Sequence, residues 1–192
     1  QELDTVHIVA CGSAYHVGVA AQYVLEDLAR LRVRVELASE FRYRRPLLRE
    51  KDLVIVISQS GETADSLAAL REAKGQGVKT LGIVNEVGSS IAREADNVFY
   101  TLAGPEIAVA TTKAYSTQMA VLHLLGLYFG DVMGTVDYET YSAMVRGLEA
   151  LPAQMRDAVL GDDVVHVVLT RGADRAGRKA RADLAYRALG GR

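Results

Sequence analysis

Apolar positions along the first hundred residues follow two alternating patterns. Short runs rich in β-branched residues recur at 6–10, 33–37, 53–57, 79–84 and 97–100. Between most of these runs lie segments with helical spacing, at 14–31, 63–77 and 89–95. The runs are almost wholly apolar rather than alternating, which indicates strands buried on both faces. The pattern therefore predicts a doubly wound α/β fold over residues 4–131, with a five-stranded parallel sheet flanked by helices in three layers.

Beyond residue 105 the pattern becomes mainly helical. Residues 111–131 read as one long helix, and residues 137–160 as a helix or helix pair that we expect Pro152 to end or kink. A buried strand at 163–170 and a helix at 173–190 follow. We therefore divide the chain into a core at 4–131, a helical extension at 132–160, and a strand plus helix at 161–192. We interpret this last segment as a candidate start of a second α/β unit.

The composition indicates an ordinary globular protein and excludes several classes. Hydrophobic residues make up 49% and charged residues 24% of the 192 positions, and the formal net charge is −2. We therefore expect neither nucleic acid nor a membrane as a partner, since no strong basic excess and no apolar run of membrane-spanning length is present. The chain opens at Gln1 rather than at a methionine, so we expect it to be part of a longer protein.

Cysteine and histidine usage narrows the chemistry further. The single cysteine, Cys11, excludes an internal disulfide framework and is typical of a reducing, cytoplasmic setting. We interpret it as a buried core thiol rather than a nucleophile. No Cys/His cluster has metal-ligand spacing, so neither a metal nor a cofactor is predicted. Three of the four histidines, which stand in apolar surroundings, are interpreted as core residues: His7, His123 and His166.

Candidate chemistry lies where the predicted strands end, because doubly wound sheets bind ligands at the carboxyl ends of their strands. Three segments qualify, and they span 10–16, 58–63 and 103–113. His16, in the first turn of the first helix, is as readily a functional residue as a surface one. Lys113 stands near a predicted helix start, which the helix dipole disfavours. We interpret Lys113 as a solvated surface lysine. The alternative is that an anion bound nearby compensates its charge.

The segment "SQSGET" (58–63) concentrates small hydrogen-bonding groups at one strand-to-helix turn. Three hydroxyls, one amide and one glycine precede a helix whose first N–H groups are unpaired and carry partial positive charge. Such a turn holds a phosphate without a formal cation. The alternative is structural, with Ser60 or Thr63 capping the helix and Ser58 satisfying the strand end. Neither the P-loop spacing nor the dinucleotide-binding glycine pattern occurs.

Several motifs together carry a family resemblance. "ACGSAYHVG", "ELASEFRYR", "VISQSGETADSLAALREAK", "NEVGSSIAREAD" and "AGPEIAVATTKAYSTQ" follow one another at the expected separations from about residue 6 to 131. They resemble the isomerising glutamine–fructose-6-phosphate aminotransferases, or glucosamine-6-phosphate synthases. In that family an isomerase part with two sugar-isomerase (SIS) subdomains converts fructose 6-phosphate and ammonia from glutamine into glucosamine 6-phosphate. The chain is similar to the first of these subdomains, which implies a flavodoxin-like SIS fold and a homodimer.

The resemblance also implies a binding site. It assigns the phosphate of a hexose 6-phosphate, either fructose 6-phosphate or glucosamine 6-phosphate, to Ser58, Gln59, Ser60 and Thr63. It adds contacts from Ser13 and, through its backbone only, from Ala14, where the family often has a second hydroxyl. The sugar itself would be lined by Val109, Ala110 and Thr111.

No catalytic residue is assigned. The family's isomerisation residues lie in motifs of its second subdomain, and these motifs do not occur here. Glu62 is the carboxylate nearest the candidate site in sequence, and we interpret it as a helix first-turn acid. We therefore expect the chain to bind the sugar phosphate but not to turn it over alone. The alternatives are a free-standing regulatory module that senses a phosphosugar, and a module for subunit assembly through the apolar helix at 114–129.

Overall fold

The computed structural model describes residues 3–105 and 111–160 of the chain. Its sheet contains five strands, all parallel, in the order β2-β1-β3-β4-β5. The strands span Thr5–Ala10 (β1), Arg32–Leu37 (β2), Leu53–Ser58 (β3), Lys79–Val84 (β4) and Asn97–Tyr100 (β5). The predicted fold class is confirmed, and each of the five strands predicted before residue 105 is found within one residue of its expected start and end.

Six helices belong to the described residues. They span Gly12–Ala29 (α1), Ala38–Arg44 (α2), Ala64–Gly75 (α3), Ser90–Glu94 (α4), Thr112–Met133 (α5) and Tyr138–Leu160 (α6). The apolar pattern did not predict α2, because seven residues with two buried positions, Ala38 and Phe41, are too short to show helical periodicity.

The sheet separates two apolar layers. Along β1, Val6, Ile8 and Ala10 face the layer that contains α1 and α5, and Val9 faces the layer of α2, α3 and α4. Because both faces are covered, β1, β3 and β4 are buried over most of their length, and their sequences are mainly apolar rather than alternating. The core thus fixes the sheet edge at which the strands end, and this edge carries the site.

The chain forms two compact units, Gln1–Tyr141 and Ser142–Arg192. The first contains the whole sheet and α1 to α5. Pro152 lies inside α6 and does not end it, contrary to one of the expected outcomes. A proline removes a single hydrogen bond of the helix interior, and α6 has whole turns on both sides of it.

Other expectations for the carboxyl-terminal third stay predictions. The strand at 163–170, the helix at 173–190 and His166 lie outside the described residues, and the boundaries at 131 and 160 are untested. Within the described part of the chain, no helix is long and apolar enough to cross a membrane.

The contact of α1 with the sheet predicts a large cost for Gly18→Ala. A Cβ at Gly18 would stand 2.8 Å from Ile8 Cγ2 and 3.1 Å from Val35 Cγ1, both on the sheet. Overpacking of this kind costs about 1–3 kcal/mol and exceeds the gain of about 1 kcal/mol in helix propensity. We expect urea unfolding to show a net destabilisation. Gly75→Ala is the control, because nothing lies within 4 Å of its Cβ position. Equal stability changes in the two variants would contradict the packing argument.

Candidate functional site

A pocket lies at the carboxyl ends of β1 and β3. The strand order reverses between these two strands, and doubly wound folds bind ligands at such a switch point. The pocket has a volume of about 240 Å³. Its lining comes from β1–α1, β3–α3 and α5, and it comprises Cys11, Gly12, Ser13, Ala14, Ile57, Ser58, Gln59, Ser60, Thr63, Thr111, Ala114 and Gln118.

Three helices begin at this pocket. The residues that precede α1, α3 and α5 are Cys11, Thr63 and Thr111, and all three line it. None of the three makes a side-chain capping hydrogen bond. The first N–H groups of each helix therefore lack the usual cap, and each helix start contributes roughly half a positive charge. Three such starts make the pocket attractive to an anion.

The electrostatic surroundings preserve this polarity. Neither α1 nor α5 has an acidic residue in its first turn. The first turn of α3 contains Asp65, and Arg42 Nη1 donates to its carboxylate at 2.7 Å. Among the described lining residues there is no Asp, Glu, His, Lys or Arg. Any anion in the pocket would thus be held by neutral donors and helix dipoles.

The 58–63 turn is organised by its own hydroxyls. The Gly61 amide donates to Ser58 Oγ at 3.1 Å, and Ser58 Oγ lies 3.0 Å from Thr63 Oγ1. The Glu62 amide donates to Ser60 Oγ at 3.2 Å. These bonds use hydroxyl oxygens as acceptors, so the Ser60 proton has no acceptor among the described residues. One proton of the Ser58–Thr63 pair is left over too, because a hydroxyl has a single proton to donate.

The capping alternative therefore fails for Thr63, whose hydroxyl bonds to Ser58 rather than to an amide of α3. Ser60 satisfies an amide, but that amide belongs to Glu62 within the turn rather than to α3. Two hydroxyl donors remain for a ligand. Gln59 is weakly engaged, with its Nε2 at 3.5 Å from Glu86 Oε1.

The β4–α4 connection supports the turn from behind. The backbone N–H of Asn85 donates to Gln59 O at 3.0 Å, and the backbone N–H of Ile91 donates to Gly61 O at 3.0 Å. Neither Asn85 nor Ile91 lines the pocket, so these two carbonyl oxygens are satisfied on the side away from it. The turn thereby offers donors to the pocket and keeps two of its acceptors elsewhere.

Glu62 belongs to the same support. The Ser90 amide at the start of α4 donates to Glu62 Oε1 at 2.7 Å. Hydrogen bonding from Ser90, by its side chain and then its backbone, holds the pKa of Glu62 below its ordinary value. The interpretation of Glu62 as a first-turn acid of its own helix is wrong, because α3 begins after it and has Asp65 in its first turn.

Ser13 and Thr111 join the starts of α1 and α5. Their hydroxyl oxygens lie 3.3 Å apart. Thr111 has φ 46° and ψ 34°, in the left-handed region. A β-branched residue is a genuine outlier there, and such strained residues cluster at functional sites.

The structure brings most of the sequence-predicted residues together. Ser13, Ala14, Ser58, Gln59, Ser60, Thr63 and Thr111 all line the one pocket. Val109 and Ala110 lie outside the described residues, so their assignment stays a prediction. Cys11 also lines the pocket and is half-buried, with Ser66 Oγ 3.9 Å from its sulfur.

Sequence reasoning missed four further lining residues: Gly12, Ile57, Ala114 and Gln118. A signal existed for two of them. Thr111, Ala114 and Gln118 follow i, i+3, i+7 spacing, which places them on one face of α5. Once Thr111 was assigned to the site, this spacing pointed to the other two.

The remaining candidates lie away from the pocket lining. His7 is buried, with Nε2 3.5 Å from Asp52 Oδ2 and Nδ1 3.7 Å from Glu36 Oε1. His123 Nδ1 lies 2.8 Å from Met119 O in the next turn of α5. His16 is exposed and packs edge-on against Tyr15. Lys113 is exposed and donates to Pro105 O. Among residues 3–105 and 111–160, no group of three or more potential ligand residues could hold a metal.

Comparison with known proteins identifies the family of this chain. The model of the SIS domain matches residues 2–128, about two thirds of the chain. The chain belongs to the SIS domain family. The resemblance to the isomerising aminotransferases is confirmed, because relatives with that name are 48% and 55% identical to this chain in the matched region.

Two such relatives are the glutamine–fructose-6-phosphate aminotransferases of Clostridium tetani and Symbiobacterium thermophilum. The SIS chain is 48% identical to the first over 165 residues, which cover 86% of this chain and 27% of that protein. It is 55% identical to the second over 152 residues, which cover 79% and 25%. The chain thus spans about a quarter of the length of the curated relatives that it matches.

A solved structure agrees with the fold. The C-terminal domain of glucosamine-fructose-6-phosphate aminotransferase from Francisella tularensis superposes with a TM-score of 0.82 and 36% identity. The match covers 86% of this SIS chain and 47% of that one.

Gly61 is predicted to be essential to the geometry of the 58–63 turn. It has φ +65°, and a Cβ there would stand 2.1 Å from Ser89 Oγ and 2.6 Å from Ser89 Cβ. Ser89 is only 5% exposed and cannot swing away freely. We expect Gly61→Ala to destabilise the protein by at least about 2 kcal/mol in urea unfolding, combining conformational strain with steric overlap.

Gly77→Ala is the matched control, because Gly77 has φ +77° with nothing within 4 Å of its Cβ position. It should lose only the conformational part, about 1–2 kcal/mol. Adding Ser89→Gly to Gly61→Ala should recover part of the loss. If Gly61→Ala and Gly77→Ala lose the same amount, the contact with Ser89 is unimportant.

The Glu62–Ser90 contact predicts a pH-dependent contribution to stability. The pKa of Glu62 is lowered in the folded state, so its contribution is complete above the ordinary glutamate value of about 4.3 and is lost as the pH falls through the folded value. We expect Glu62→Gln to be less stable than the unmodified chain at pH 7. The difference should shrink at pH 3, as measured by urea unfolding at both values. A difference that does not depend on pH would contradict the assignment.

Proposed function

We propose that this SIS domain binds the phosphate of a hexose 6-phosphate and forms the first SIS subdomain of an isomerising glutamine–fructose-6-phosphate aminotransferase. The observation that carries the proposal is the convergence of the α1, α3 and α5 starts on one pocket. Helix starts without a capping side chain bind phosphate through backbone N–H groups and the helix dipole. The names of the relatives, fructose-6-phosphate aminotransferases, supply the class of sugar.

In this proposal the 58–63 turn holds the phosphate. The hydroxyl protons left over at Ser60 and in the Ser58–Thr63 pair donate to phosphate oxygens, together with amides of the turn and of the first turn of α3. Ser13 and Thr111, whose hydroxyl oxygens lie 3.3 Å apart in the same lining, add contacts to the sugar phosphate.

The proton transfers of the isomerisation are assigned to groups outside the described lining. Moving a proton between C1 and C2 needs an acid or base within hydrogen-bond reach of both. No described lining residue is a carboxylate, histidine or lysine. We therefore infer that this subdomain binds and orients the substrate while another part of the protein supplies the catalytic groups. The homodimer and the cytoplasmic location stay predictions from the sequence.

The phosphate assignment predicts that Ser60→Ala combined with Thr63→Ala abolishes or strongly weakens binding. Each hydrogen bond to a charged group contributes about 1.5–3 kcal/mol, so we expect at least a tenfold loss, roughly, in the affinity for fructose 6-phosphate. Isothermal calorimetry on the 192-residue chain measures it, with unphosphorylated fructose as the negative control ligand.

Ser116→Ala combined with Thr117→Ala is the matched control variant. It removes the same two kinds of hydroxyl from α5, where both bond only to backbone carbonyls of the preceding turn. Neither residue lines the pocket, so affinity should be unchanged. Equal affinity of the unmodified chain and the Ser60/Thr63 variant would show that the 58–63 turn does not bind the phosphate.

A further inference from the structure

Gln118 is a buried polar residue in the pocket wall whose amide bonds to no residue that the structure describes. It lies on α5 and is 3% exposed. Ser58, the other deeply buried polar residue of the lining, has its hydroxyl hydrogen-bonded to Gly61 and Thr63 within the 58–63 turn. Gln118, by contrast, makes no hydrogen bond with any residue in the described ranges. Its position in the lining gives its amide access to the pocket.

The surroundings of Gln118 favour an apolar side chain. On the same helix, Ala114, Val121 and Leu122 are buried, and the latter two belong to the core between α5 and the sheet. A primary amide brings two donor hydrogens and a carbonyl oxygen with two lone pairs into this setting. The amide atoms are not among the described side-chain atoms that are both fully buried and unpaired, so their remaining accessible surface lies at the pocket. A methionine of similar length would fill the same space, so packing alone does not explain why an amide stands at this position.

At the position of Gln118, a side-chain amide is better suited to the sugar than to the phosphate. Phosphate oxygens accept hydrogen bonds, and the donors for them are already gathered in the 58–63 turn and at the helix starts. The carbonyl oxygen of Gln118 would face such oxygens unfavourably. A sugar hydroxyl both donates and accepts, and thus matches both halves of the amide.

We propose that Gln118 binds hydroxyl or carbonyl groups of the sugar and selects a hexose phosphate over other phosphate compounds. This inference rests on the proposed function and adds a determinant of specificity on α5. The turn after β3 binds the phosphate, and the sugar contacts the α5 face that contains Thr111, Ala114 and Gln118. Gln118 thereby separates recognition of the sugar from recognition of the phosphate.

The test is Gln118→Met, which keeps the length of the side chain and removes its hydrogen bonds. Calorimetry should show an affinity for fructose 6-phosphate that is lower by about tenfold, the loss expected for one buried polar contact. Binding of inorganic phosphate, followed by phosphorus NMR titration, should stay unchanged. Without ligand, Gln118→Met should be at least as stable as the unmodified chain in urea unfolding, because the position is 3% exposed and its neighbours on α5 are apolar.

Four outcomes would overturn the proposal. Equal affinities of both proteins for fructose 6-phosphate would exclude a sugar contact while leaving the proposed function intact. An equal loss of affinity for inorganic phosphate would assign Gln118 to the phosphate instead. An unmodified chain that binds neither ligand would overturn the proposed function and this inference together. If Gln118→Met fails to fold, Gln118 is structural and the proposal is wrong. Gln118→Ala, measured in the same way, must give the same selective loss.

Discussion

The proposed function requires the site to neutralise a negative charge with no positively charged side chain among the described lining residues. Within the described lining, the positive potential comes from helix starts and polar hydrogens, and these are fixed to the backbone rather than carried on long side chains. A donor fixed in this way loses little conformational freedom when a ligand binds. The requirement falls on the fold, which must bring three helix starts to one point and keep acceptor groups away from it.

The parallel sheet meets the first part of that requirement. β1 and β3 are neighbours, and each passes at its carboxyl end into a helix on an opposite face, α1 on one side and α3 on the other. The gap between these diverging connections is the pocket, and α5 reaches it by packing on α1. The β4–α4 connection meets the second part, since Asn85 and Ile91 bind the carbonyl groups of Gln59 and Gly61. The close approach of Ser89 to Gly61 holds the two segments in register.

The sequence predicts the sheet well because buried parallel strands leave an unmistakable signal. The run Leu53–Ile57 has no polar residue, and Ser58 marks the end of the strand. The candidate site was predictable in part for the same reason, since parallel strands end at one edge. The hydrogen bonds by which the β4–α4 connection supports the 58–63 turn were not predictable from the sequence around either segment. Glu62 and Ser90 are 28 residues apart, and nothing in the neighbourhood of either one indicates the contact. Its existence depends on which strands are neighbours, and chain order alone does not state that.

Gln118 shows a different limit of sequence reasoning. Its helical spacing predicts that it is buried with Ala114 and Val121, but periodicity cannot tell whether a buried amide finds a partner within the fold. Only the three-dimensional arrangement shows an amide that the described chain does not satisfy and that borders a pocket. A buried polar group without a partner conflicts with the otherwise consistent packing of α5, and such local conflicts are expected where a sequence is selected for function rather than for stability. The same reasoning applies to the left-handed conformation of Thr111 on the same face of the helix. The amide of Gln118 and the backbone of Thr111 are thus two independent features that do not favour folding, and both lie on the α5 wall of the pocket. They indicate that α5 contributes to ligand recognition.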